Sequence, residues 1–592
     1  MGRSAARRVA SEPRAESAAR REVEREADAA PAFSAWLDAF FVSYFRHRPV
    51  NATFVGLREH DGRLPDFSDG GVGDALADAD TLLGRLRALP PEPLTQAQRL
   101  DRRLAEGFLR IQRWEYDSPH FRWENPSLYT GEAIFGVLGL LVPSDARDGE
   151  RVEHAVARLR ATLRLLADAQ ATVGQAPAGW TERARRECAA ALLLFGDGLD
   201  RLIAERGIAR PELRAAADLA MRAFARFDAY LAAEVAPRPS DRYACGPEAY
   251  ALLLREGHAL GETAAQLEAR ALDHMAEAEA SLAAGAGAVG APDWHAALAQ
   301  LADAHPTIEQ FSGRFVEVWA AARTIAEAHD LLTIPDWPVR FEQQPAWVRP
   351  AAPSLYFIPY RSPAPFDRPP HGTSYIPSIE ASDPAEQERR LRAVNDQVIK
   401  QNYVVHHAGI GHHAQNWYAM RAASRIGQVA AVDCASRIAM LCGGTLAEGW
   451  ASYVTDLMDE VGYLTPLESY AQRYARLRMS ARTVVDVRLH DGRFSLEDAT
   501  DFYRDRVGMA PAAARAEAVK NALFPATACM YLAGWDGIRR LGRAVKASEG
   551  SAFSLRRFHD RLLAFGSVPV SLIAAEMLDD AASTETPATA TH

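Results

Sequence analysis

The chain has 592 residues, of which 48% are hydrophobic and 24% charged, with a formal net charge of −10. Such a balance is that of an ordinary soluble globular protein with a sizeable core. The acidic excess argues against a nucleic-acid backbone or an anionic membrane surface as the main partner. Lys400, Lys520 and Lys546 are the only lysines, so the basic charge is nearly all arginine, which reads as coding bias rather than function.

Residues 1–30 are Arg, Ala and Glu without an apolar stretch, which predicts a disordered leader and not a signal peptide. From Phe33 the apolar residues Trp36, Leu37, Phe40, Phe41 and Tyr44 recur at helical spacing, and Pro49 is expected to stop that helix. The Gly- and Asp-rich stretch from Gly56 to Gly73 reads as loop. Amphipathic helices are expected at 150–173, 182–204, 210–233, 263–284 and 308–329. Between Leu331 and Pro384 the composition turns Pro-rich and aromatic, with two short runs, Leu355–Pro359 and Thr373–Ser378, that suit β-strands. A long structured connection before a candidate site suits a substrate wall, and Tyr356, Tyr360 and Tyr375 are its candidate contacts. Helix resumes at about Glu386, followed by segments at 424–441, 443–461 and 467–489 and shorter helices to about Leu578. The fold class expected is mainly α, with one large helical domain over residues 31–580, a small β element before the histidine-bearing helix, and a disordered tail at 581–592.

The five cysteines, Cys188, Cys245, Cys434, Cys442 and Cys529, are odd in number and contain no CxxC, which points to a reducing compartment. Cys434 and Cys442 flank an apolar stretch and suit small buried core positions. No apolar run approaches the roughly 18 residues of a membrane span, so a cytoplasmic protein without membrane contact is expected.

The chemistry concentrates in His406-His407-Ala408-Gly409-Ile410-Gly411-His412-His413, which holds four of the 17 histidines. Imidazole is the commonest protein metal ligand and the usual proton shuttle near neutral pH. A hydrogen-bonded polar patch explains one such histidine better than it explains two His-His pairs around a Gly-x-Gly break. In zinc peptidases HExxH works because residues i and i+4 share a helix face, but the i+4 position from His406 is Ile410. On a straight helix His412 lies about 120° off that face and roughly 9 Å along the axis, and His413 lies on the face but roughly 10.5 Å away. Gly409 and Gly411 permit a break that changes this geometry. Spacing alone leaves the ligand pair open.

A second pattern lies downstream. Tyr474, Arg478, Arg482, Asp486 and His490 fall at successive i+4 steps and form one polar stripe of a helix. The stripe is either a solvated face or a set of groups behind the site.

Several motifs in order resemble the bacterial family known as domain of unknown function 885, whose members carry HExxPGHH and a later EGWALY helix. The resemblance runs from Pro49-Val50-Asn51-Ala52-Thr53 through Gly411-His412-His413-Ala414-Gln415 and Glu448-Gly449-Trp450-Ala451-Ser452-Tyr453 to Phe558-His559-Asp560. It implies a zincin-like helical domain with a buried cleft, of the kind found in angiotensin-converting enzyme, thimet oligopeptidase and carboxypeptidase Taq. It also implies one divalent metal, zinc first and iron or manganese as alternatives, held by His406, His412 and Glu448. This chain departs from the motif at His407, which stands where the family has glutamate, and at Ile410, which stands where it has proline. His407 then becomes the candidate base or a further ligand. Tyr531 and His490 become candidate oxyanion donors, with Asp486, Arg482, Arg478, His413 and Tyr375 behind the site or on the substrate. The expected function is metal-dependent hydrolysis of a peptide or small amide. The alternatives are a non-hydrolytic iron or manganese enzyme with lyase or oxidative chemistry, and a catalytically inactive binding protein.

Overall fold

The computed structural model describes residues 30–90, 93–143, 148–355, 360, 362–430 and 443–584. Helices make up 73% of the protein, with a few short strands. Residues 1–29 of the leader and most of the tail lie outside the described residues, as do Cys434, Cys442 and nearly all of the Leu355–Pro359 run. The last helix, Val570–Thr584, enters the segment expected as tail.

Local signals fix many helix ends. The Pro31–His47 helix buries the aromatic stripe Phe33, Trp36, Leu37, Phe40, Phe41 and Tyr44. Pro49 ends it as expected but also begins a second short helix, Pro49–Val55, because proline's fixed φ suits a first helical turn. The expected Gly56–Gly73 loop is shorter, since Ser68 accepts from the Gly71 amide and starts a helix at Asp69. Thr95, Thr263, Thr307 and Thr465 each open a long helix through a reciprocal capping box. The helix expected at 424–441 is described only as Arg425–Val429, and Ala430 is extended.

The apolar interior forms two clusters, one built from residues 50–235 with 347–355 and the other from the N-terminal helices and the C-terminal half, and Phe54 packs against both. Strand Gly372–Ile376 matches the run expected there. Its partner, Val339–Gln343, pairs in parallel with Val339 opposite Gly372 and Gln343 opposite Ile376. Tyr360 adds an antiparallel bridge to Ser374 on the other edge. Among the described residues no helix is long and apolar enough to cross a membrane.

Candidate metal centre

The segment Val398–Ala408 is a π-helix, wider than an α-helix, and it ends in a break at Gly409 and Gly411 before helix His412–Ala419 begins. The break is a fold-back of the chain on its own last turn. The Gly411 amide donates to the Val405 carbonyl at 2.9 Å, spanning six residues where an α-helix spans four. A Cβ on Gly411 would collide with the His406 carbonyl oxygen, and one on Gly409 would lie 2.8 Å from the Trp319 ring. Both positions therefore require glycine. The fold-back shortens the axial distance that separates His406 from His412 on a straight helix, and their ring centroids stand 4.9 Å apart, edge to face.

Glu448 arrives on helix Gly444–Glu460, whose neighbours Trp450 and Val454 are fully buried. Gly449 and Gly534 let this helix touch helix Met530–Glu549 backbone to backbone, where any side chain would clash. The contact sets the depth at which Glu448 enters. Its Oε2 lies 3.4 Å from His406 Nε2 and 3.6 Å from His412 Nε2. This oxygen is buried and lacks a hydrogen-bond partner. Donors bound at about 2.0–2.1 Å to one tetrahedral ion stand roughly 3.4 Å apart. Two imidazole nitrogens and an orphaned carboxylate oxygen at that separation fit a divalent cation. Burial alone would raise the Glu448 carboxyl, but the two imidazoles outweigh it and hold the group well below the usual carboxylate range. Burial pushes His406 down, which favours the neutral, ligating form.

His407 faces the same point. Its Nδ1 donates to the Asn402 carbonyl at 2.6 Å, which leaves Nε2 unprotonated. Its ring stands 4.6 Å from that of His406 and 5.5 Å from that of His412. The donor atoms of His406, His407 and His412 all lie within 4.8 Å of one another. Burial, then the two neighbouring imidazoles, lowers its pKa well below the ordinary value.

The other expected residues divide. His413 turns away: it is stacked on Trp337 at 4.3 Å, donates from Nε2 to the Trp337 carbonyl and accepts at Nδ1 from Tyr360. It anchors the break to the Pro-rich wall and has no nitrogen left for substrate. Tyr375 stands on the more exposed face of its strand, opposite the face on which Gly372 meets His413. Arg482 forms a two-point ion pair with Glu517 at 2.7 and 3.1 Å and lies over the Tyr531 ring at 4.9 Å. Its positive charge reaches His406.

Asp486 and His490 are corrections. Both are completely buried. His490 Nε2 donates to the Asn521 carbonyl at 3.0 Å and Nδ1 accepts from the Cys245 amide at 3.4 Å, so neither nitrogen remains to stabilise an oxyanion. Asp486 makes no hydrogen bond to His490, whose Nε2 is 3.7 Å away. It accepts instead from the amides of Ala526 and Cys529 and from Tyr250. These bonds hold the turn that leads into Tyr531. Burial pushes the Asp486 carboxyl up to about 7. The sequence does not reveal Asn402, Glu517 or the bond from Trp450 to the Ile410 carbonyl. Trp450 reads as a packing residue beside Glu448, whereas a backbone carbonyl such as that of Asn402 carries no side-chain signal.

The profile of the bacterial proteins of unknown function DUF885 matches residues 49–577. The chain belongs to that family. No curated relative matches it. Among solved structures it is similar to a candidate lipoprotein of unknown function from Shewanella oneidensis, at 21% identity and a TM-score of 0.73, over 92% of this chain and 99% of that one. It is also similar to a candidate lipoprotein from Colwellia psychrerythraea, at 17% identity and a TM-score of 0.75, over 93% and 99% of the two chains. At these identities the likeness establishes a shared fold.

Proposed function

We propose that this DUF885 protein is a metal-dependent hydrolase with a zincin-like helical fold, acting on a peptide or related small amide in a cleft at the histidine cluster. The observation that carries the reading is the orphaned Glu448 oxygen set at ligand spacing from His406 and His412. Those three residues would hold a divalent ion, zinc first. Such an ion polarises a carbonyl and makes water a nucleophile near neutral pH. The chain's own groups then divide the remaining work. The Asn402 carbonyl fixes the His407 tautomer, so Nε2 is a lone-pair acceptor for the proton that the attacking water gives up. Tyr531, on the helix that packs against that of Glu448, is the candidate oxyanion donor, with Arg482 over its ring. The reading is tested by elemental analysis of purified protein and a peptide panel, with Glu448→Gln as control. One bound zinc and turnover that disappears with that substitution support it. Bound metal without turnover of any peptide or amide leaves a binding protein.

A second reading is favoured by the grouping of three imidazoles. Three rings around one ion stand roughly 5 Å apart, and the observed separations are 4.6, 4.9 and 5.5 Å. With His407 as a third nitrogen ligand, the set of three imidazoles and one carboxylate suits iron or manganese and non-hydrolytic chemistry. Purification with zinc alone counts against it.

A cytoplasmic location is part of the proposal and rests on the cysteines, of which Cys188, Cys245 and Cys529 are free thiols. The lipoprotein description of the two solved neighbours points the other way, and cell fractionation decides between them.

A further inference from the structure

The helix Pro466–His490 carries Arg478 and Arg482 one turn apart, the charge of Arg482 reaches His406, and the environments of the two differ. Arg482 is matched: both Glu517 oxygens receive its guanidinium. Arg478 makes no hydrogen bond and no close ion pair among the described residues, although it is only partly exposed. The groups whose charge reaches it are Arg482, Glu517, Tyr474 and Tyr503. Two guanidinium charges and the Lys520 ammonium thus act on one carboxylate, both of whose oxygens Arg482 engages. An unmatched cation held partly out of water is costly, and arginine's fork suits a carboxylate in two-point contact. The difference shows in the two residues' acidities: burial and the neighbouring Arg482 lower Arg478, whereas Glu517 drives Arg482 upward.

We propose that Arg478 binds a carboxylate of the substrate, so that the natural ligand is a short peptide or acylated amino acid with a free C-terminal carboxylate. Lys520 also acts on Glu517, so positive charge here exceeds the one carboxylate, and a substrate carboxylate at Arg478 reduces the excess. Arg478 precedes Arg482 by one turn, about 6 Å of helix, and the charge of Arg482 acts on His406. Under the hydrolase reading the carboxylate then lies one helical turn from the arginine whose charge reaches the cluster. This placement rests on the hydrolase reading, whereas carboxylate binding itself does not.

The test uses the full-length protein as purified, with N-acetyl-Ala-Ala and its C-terminal amide as probes, titrated by calorimetry while hydrolysis is followed by chromatography. The acid is expected to bind about tenfold or more tightly than the amide. Arg478→Gln should abolish the difference and Arg478→Lys retain part of it, with circular dichroism unchanged in both. Equal binding of acid and amide, binding of neither, or a preference that survives in Arg478→Gln overturns the proposal. Preferential binding of the acid with no cleavage keeps the carboxylate site and removes the hydrolase reading.

Discussion

The indole nitrogen of Trp450 donates to the carbonyl of Ile410 at 2.9 Å. This bond joins the helix that carries Glu448 to the middle of the break between His406 and His412, so one contact couples the positions of all three expected ligands. Trp450 is fully buried, so the bond is shielded from solvent. Trp450→Phe keeps the ring and removes the donor. It is expected to cost about 1–3 kcal/mol, because the Ile410 carbonyl is left unsatisfied, and to weaken zinc binding. Denaturant unfolding and competition with a chromophoric chelator measure the two effects.

Gly411→Ala tests the break itself. The new Cβ would meet the His406 carbonyl oxygen, so the fold-back must open and His406 and His412 must separate. Metal stoichiometry should fall from one towards zero. Stability should drop by about 1–3 kcal/mol, as for other steric conflicts in tightly packed sites. Full metal content in a folded variant would show that the break is not what pairs the histidines.

The role of His407 separates from that of the ligands. Under the hydrolase reading His407→Ala retains metal and loses about 100-fold or more in kcat, the range for a removed general base. His406→Ala and Glu448→Gln lose the metal. Loss of metal in His407→Ala would favour the set of three imidazoles and one carboxylate instead.

Acid sensitivity follows from two buried histidines outside the cluster, one of which, His559, packs against Trp450. Burial lowers both His120 and His559 to about 4. His559 donates from Nδ1 to the Leu331 carbonyl at 2.5 Å and accepts from Tyr453 at 3.1 Å, so only the neutral ring satisfies both contacts. In the unfolded chain these rings titrate near 6.5. Their contribution to stability is therefore complete above pH 6.5 and falls as the pH drops from 6.5 towards 4, by up to about 3 kcal/mol for each. Urea unfolding between pH 7.5 and 4.5 should show this decline. His559→Gln should make its slope shallower by about one proton.

The stripe from Tyr474 to His490 shows how far periodicity reaches. Its spacing is visible in the sequence, yet one end is fully buried in the core and the other holds the partly exposed arginines. Which end does what depends on Asn521, Cys245 and Glu517, residues that pattern alone does not connect with it. The parallel strand Val339–Gln343 escaped notice for a similar reason, since five residues with one partner carry too little alternation to stand out from a Pro-rich segment.

The sequence alone determined the helical class, most helix positions after residue 148, the family, and the residues that supply the cluster. These depend on apolar spacing, on caps and on motifs, all of which act within a few residues. The family resemblance had already chosen His412 over His413, which spacing left open. The tertiary structure alone decided how the fold-back brings His412 to His406, that the Asn402 carbonyl takes Nδ1 of His407, that His490 is locked in the core and that Arg478 meets no carboxylate among the described residues. Each of those outcomes depends on the direction of a side chain, and direction is set by the π-turn, the glycine fold-back and helices packed from distant parts of the chain.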